Sequence, residues 1–145
     1  MKAIKPFHDF ITRGIVKVQS PDKSRAAFLE KEAEQSYTYL LELLTKIGIT
    51  NQNANNYVKH CYDIIMESIR AIMLLNGFNA SGNNAHEAEV SYLRELEFSE
   101  NDVQFADQIR FFRNGMTYYG TQLDKEYAEK VVTFTKKIYP SIKVK

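Results

Sequence analysis

The chain has 145 residues, 44% of them hydrophobic and 26% charged, with six glycines, three prolines and a formal net charge of +1. That length suits one domain with a real core, and so little Gly and Pro argues against the many turns of an all-β chain. The single cysteine, Cys61, excludes an internal disulfide or a Cys-based zinc site, and the near-neutral charge gives no long-range field for nucleic acid or anionic membranes, so either role needs a local patch.

Residues 1–24 read as an N-terminal arm, with a short helix over 6–13 broken at Gly14. Lys2, Lys5, His8, Asp9 and Arg13 interrupt it, so it lacks the apolar core of a signal peptide. No apolar run approaches the ~20 residues that cross a bilayer. A cytoplasmic protein is the expectation. Residues 14–19 are too short a segment to classify. Ser24 is a candidate N-cap for a long helix over 25–47, in which Leu29, Ala33, Tyr37, Leu40, Leu41, Leu44 and Ile47 recur at helical steps before Gly48.

An Asn-rich loop over 50–56 leads to a helix over 57–75 that is apolar around most of its girth and is expected to be the most buried. Its polar residues form one stripe, Lys59, Asp63, Glu67 and Arg70. After a loop over 79–84, Asn84 with Glu87 has the spacing of a capping box for a helix over 85–96. Ser99 with Asp102 repeats that signature ahead of a helix over 100–119 that stops at Gly120. Asp124 would cap a last helix over 124–139, ended by Pro140. The chain is thus a single all-α domain, an antiparallel bundle of about five main helices.

The helix over 100–119 carries the distinctive residues. Phe105, Ile109, Phe112, Met116, Tyr119 and Leu123 form one expected core stripe. Arg110, Arg113, Asn114, Thr117, Tyr118 and Phe111 lie off it. Aromatics and arginines on a face the core cannot use suggest a second contact surface, with a homodimer the natural one.

The string Ile109-Arg-Phe-Phe-Arg-Asn-Gly-Met-Thr-Tyr-Tyr-Gly120 resembles the signature helix of the HEPN family, in which an Arg and a polar residue are followed four to six positions on by a His. Arg113 and Asn114 match the first two positions. The run from Ala71 to Phe78, with Ser81 and His86-Glu-Ala88, resembles the family's second helix, loop and third helix. Phe10-Ile-Thr-Arg-Gly-Ile-Val, then Pro21-Asp22 and Arg25-Ala26, resembles the opening of prokaryotic members. The likeness covers most of the chain. It implies a helical bundle that dimerises, with a cleft for nucleotide or RNA at the interface.

The departure is at the His position, which here is Tyr118. In active members the resemblance implies metal-independent RNA cleavage, with Arg on the phosphate and His moving a proton. Imidazoles titrate near neutrality and phenols near pH 10, so losing the His would cost about 10²–10⁴-fold. Three functions therefore stay open. One is a binding or regulatory homodimer, partner of a small nucleotidyltransferase in a toxin–antitoxin or defence-type pair. One branch of the family carries a Tyr modified by such a partner, beyond its His, and neither Tyr118 nor Tyr119 matches it cleanly. The second is a metal-independent endoribonuclease using Arg113 and Asn114 with Tyr118. The third is a helical scaffold whose Arg113 pairs with a carboxylate on a neighbouring helix. Arg110, Arg113, Asn114, Tyr118 and Glu67 are the candidate nucleotide- or RNA-binding residues, with Glu67 expected opposite Arg113. No metal or cofactor is expected, since no His, Asp or Glu pair has ligand spacing on one helix face and no Gly-rich phosphate loop follows a strand.

Overall fold

Caps and turn glycines divide the chain into helices joined by short connections, and a computed structural model describes residues 3–143 of it. In order these are α1 (Phe7–Thr12), β1 (Val16–Val18), α2 (Lys23–Lys46), α3 (Ala54–Leu75), β2 (Phe78–Ala80), α4 (Ala85–Glu95), α5 (Glu100–Tyr119) and α6 (Lys125–Lys143). The fold is an all-α bundle, as its composition and periodicities require. None of these helices is long and apolar enough to cross a membrane.

α3 is the central element. It packs against α2, α6, α4 and α5, and Val58, Cys61, Ile64, Ile69 and Leu74 are fully buried along it. Cys61 lies among them, and burial pushes its thiol up to about 12. The helix begins one turn earlier than its apolar pattern, at Ala54.

Several local expectations are corrected. The cap of α2 is Asp22, whose carboxylate accepts from Arg25 N at 3.1 Å; Ser24 lies inside the helix. Asn84 adopts a left-handed conformation (φ 70°) and makes no side-chain cap, so the capping box of α4 does not form. Ser99 and Asp124 do cap, accepting from Asp102 N and Tyr127 N respectively. Pro140 does not end α6, which continues to Lys143. It sits on an exposed face, where the carbonyl it leaves unpaired is open to water.

The unclassified segment 14–19 and part of the 79–84 loop pair instead as a two-stranded antiparallel sheet, with Val16 opposite Ala80 and Val18 opposite Phe78. Gly77 makes this possible. Its φ is +83°, and a Cβ there would lie 2.5 Å from the Gln19 carbonyl oxygen. Arg94 ties the arm down, donating to the carbonyls of Ile4 and Lys5 at 2.8 and 2.9 Å.

Candidate functional site

The outer end of α5 is fixed by its exit. Gly120 takes a left-handed cap conformation, and Thr121 folds back until its N–H donates to the Gly115 carbonyl at 3.2 Å. A side chain at position 115 would strike the Thr121 hydroxyl at 2.6 Å. Asn55 then stitches the connection to α3, donating to Thr121 O at 2.9 Å and accepting from Leu123 N at 2.8 Å. Residues 117–120, at the end of α5, are all exposed. Phe111 is 55% exposed, Tyr118 75% and Tyr119 86%.

This corrects the stripe expected along α5. Ile109 and Leu123 are buried and Phe105, Phe112 and Met116 half-buried, but Tyr119 faces solvent. The inner face is completed by Val103, Ala106 and Gly115 together with two carboxylates, Asp102 and Asp107. Both carboxylates are answered. Lys137 Nζ donates to Asp102 at 2.7 Å, and Arg110 Nε donates to Asp107 at 2.6 Å.

The candidate residues separate into two neighbouring groups. Asn114 and Tyr118 line a shallow groove with Phe111, Phe112 and Tyr119. Arg110 and Arg113 lie one helical face away. Arg110 is committed, since it holds Asp107 and also reaches Glu87 of α4 at 3.5 Å. The pairing with a carboxylate on a neighbouring helix that the scaffold reading expects of Arg113 is made by Arg110 instead, through Glu87 of α4. Arg113 donates from Nη1 to Thr117 Oγ1 at 2.7 Å. Its Nε is buried with no hydrogen-bond partner, and it has no ion pair among the described residues.

Glu67 does not face this arginine. Burial raises its pKa, as do the nearby charges of Asp63 and Glu32, and the positive charge acting on it is Arg70. Arg70 in turn forks onto Glu89 of α4, with Nε to Oε2 at 2.6 Å and Nη2 to Oε1 at 3.0 Å. Glu89 is 2% exposed, so this is a bidentate pair with its carboxylate inside the protein.

That pair belongs to a constellation that sequence reasoning missed. His86, 57% exposed by its side chain, lies with Nδ1 3.7 Å from Glu89 Oε1 and 3.2 Å from the buried Tyr62 hydroxyl. Nε2 has no protein partner among the described residues. Burial pushes the Tyr62 hydroxyl upward, and Arg110, Arg70 and Arg113 oppose that rise. The positive charges of the three arginines thus act on the phenol that braces His86. The His86-Glu-Ala-Glu89 spacing was the only sequence signal, and it places both side chains on one helix face.

The site can bind an anion at Arg113, offer aromatic faces at Phe111, Tyr118 and Tyr119, and present an imidazole at His86. No group of three or more His, Cys, Asp or Glu side chains suited to a metal ion occurs among the described residues. Comparison with family models, with curated proteins and with solved structures returned no match, so the functional reading rests on the chain's own residues.

Proposed function

We propose that the protein is an HEPN-like homodimeric binding or regulatory protein, whose α5 surface takes a nucleotide or RNA across the two-fold axis. The observation that carries this reading is Arg113, a guanidinium with no ion pair among the described residues, on the same half of α5 as three exposed aromatics. A guanidinium fork matches phosphate oxygens and stays charged at any physiological pH. Tyrosine and phenylalanine are enriched where surfaces pair, and bases stack on them. Asn114 and Tyr118 add donors in the adjoining groove. The same exposed tyrosine hydroxyls suit a small nucleotidyltransferase partner. Sedimentation equilibrium tests the dimer: a pair at tens of micromolar (roughly the range in which a micromolar dimer is plain), dissociated by Tyr118→Glu, is expected. A monomer throughout contradicts it.

The alternative, a metal-independent endoribonuclease, is favoured by one observation, the braced imidazole of His86. With Nδ1–H donating to Tyr62, Nε2 offers a lone pair to a ribose hydroxyl, taking the part that Tyr118 cannot. On this reading the wild type cuts single-stranded RNA in the presence of EDTA. His86→Ala then removes about 10²–10⁴-fold of the rate while leaving RNA affinity unchanged. On the binding reading, neither protein cuts.

A further inference from the structure

The connection between α2 and α3 is tied to the one between α5 and α6. Asn55 holds Thr121 O and Leu123 N, and Asn51 accepts from Lys125 N at 2.8 Å. The surface differs on the two sides of this tie. On the α5 side, next to Thr121, stand the exposed rings of Phe111 and Tyr118, which share a helix face. On the other side, Asn56 lines a groove of about 320 Å³ between α2 and α3. Tyr39, Leu43 and Ile47 of α2 meet Tyr57 and His60 of α3 there. Tyr39 and Ile47 are 53% and 64% exposed.

The groove suits a neutral aromatic guest. No Asp, Glu, Lys or Arg side chain lines it, so a phosphate or a carboxylate would find no counter-charge. The His60 ring is held by Tyr39, edge to face at 5.6 Å, and its Nε2 donates to the Ser36 carbonyl at 2.8 Å. The neutral imidazole therefore keeps Nδ1 as an acceptor. An apolar groove with one such acceptor and the exposed amide of Asn56 answers both the ring and the hydroxyl of a tyrosine.

Area and symmetry say whose tyrosine it is. Burying the exposed parts of Phe111, Tyr118 and Tyr119 completely would remove roughly 300–550 Å² per copy. A stable interface covers about 800 Å² per partner, so the rings of α5 cannot hold a pair by meeting one another. A two-fold contact is isologous, and whatever one copy inserts it must also receive. The groove adjoins the α5 end across Asn55, and Tyr39 and Ile47 add the missing apolar area.

We infer, resting on the homodimer proposed above, that Tyr118 of each copy, with Phe111 beside it, inserts into the groove between α2 and α3 of a second copy. The pair is thus held by two reciprocal ring-in-groove contacts.

Sedimentation equilibrium of the full chain at tens of micromolar tests this with Tyr118→Ala, which removes the ring, and Ile47→Glu, which charges the groove. A homodimer of either variant has both contacts damaged, so each should self-associate about tenfold or more weakly than the wild type. An equimolar mixture keeps one intact contact, between the ring of the Ile47→Glu chain and the groove of the Tyr118→Ala chain. It should therefore form a heterodimer about tenfold or more tightly than either variant pairs with itself. Both positions are exposed, and if Ile47→Glu nevertheless fails to fold, Tyr39→Ala takes its place. A wild-type dimer that Ile47→Glu leaves intact would assign the groove another occupant and overturn the inference alone, with the homodimer standing. Loss of the dimer in both variants without recovery in the mixture would overturn it too, because the ring and the groove would not face each other. A wild type that stays monomeric would overturn the homodimer and the inference together.

Discussion

Arg70 and Glu89 show how a charged pair survives next to the core. Glu89 is 2% exposed, whereas Arg70 keeps 27% of its side chain in water, so only one partner is fully desolvated. Two charge-assisted hydrogen bonds answer that carboxylate. Glu89→Ala strands the guanidinium and removes the brace behind His86, so it should destabilise the protein by about 3 kcal/mol. A lower urea midpoint at unchanged slope would check this.

Glu100 makes a contrasting, exposed case. Hydrogen bonds from Arg94 and then Gln104 hold its carboxyl at about 2, against an ordinary 4.5. A depressed acid contributes stability above its unfolded pKa and loses it as pH falls through the folded one. Stability should therefore drop between pH 4.5 and 2, and Glu100→Gln should flatten that fall. The effect should be no more than about 1 kcal/mol, because the pair is solvated. Urea midpoints of both proteins across the window would measure it.

At this scale the sequence was a partial guide. Arg113 and Asn114 stood out because they share a helix with a clean periodic pattern. The Tyr62, His86 and Glu89 constellation did not, because α3 and α4 bring Tyr62 to His86 across 24 positions. Glu67 was misplaced for the same reason. Its stripe was read correctly as polar, but only packing decides which neighbour a stripe meets.

At the scale of elements, periodicity and caps located the helices well. α5 runs over Glu100–Tyr119 with Ser99 as its cap, the bounds its pattern implies. The misreadings have separate causes. Tyr119 keeps the helical step, yet it is 86% exposed, so period alone assigns it to a core that does not reach it. The β1–β2 pair consists of two three-residue strands far apart in sequence, too short for alternation to register. Pro140 was read as a stop, although a helix tolerates proline where the freed carbonyl meets water.

Gly77 is the hinge between α3 and the small sheet. Its positive φ and the 2.5 Å approach to Gln19 O leave no room for Cβ, and backbone cannot move aside as a side chain end can. Gly77→Ala should cost at least about 1–2 kcal/mol from the left-handed conformation alone. It should also speed amide exchange at Gln19, whose N–H donates to Gly77 O. Exchange at α3 amides such as Ile65 should follow only the global change.

For the whole molecule, the near-neutral net charge means that binding cannot come from a general field and must come from a site. Three of the exposed aromatics among the described residues, Phe111, Tyr118 and Tyr119, lie on the second half of α5, which also carries Arg113 without an ion pair. On the proposed reading, a two-fold pairing there would cover the aromatics and bring the neighbouring Arg113 face of each copy close to the axis, so that dimerisation and phosphate binding would go together. Such a site holds few phosphates, so salt should weaken binding gently, by the release of only a few counterions.

The most direct test is fluorescence anisotropy of a labelled single-stranded RNA oligonucleotide at low salt, comparing the wild type with Arg113→Ala. The account predicts saturable binding by the wild type and a loss of about tenfold or more in the variant, as expected when a charged hydrogen bond to phosphate is removed. The variant's stability should fall by no more than about 1 kcal/mol, because Arg113 has no ion pair among the described residues for the substitution to break. No saturable binding by the wild type, together with marked destabilisation of Arg113→Ala, would contradict it and leave Arg113 a structural residue of a helical scaffold.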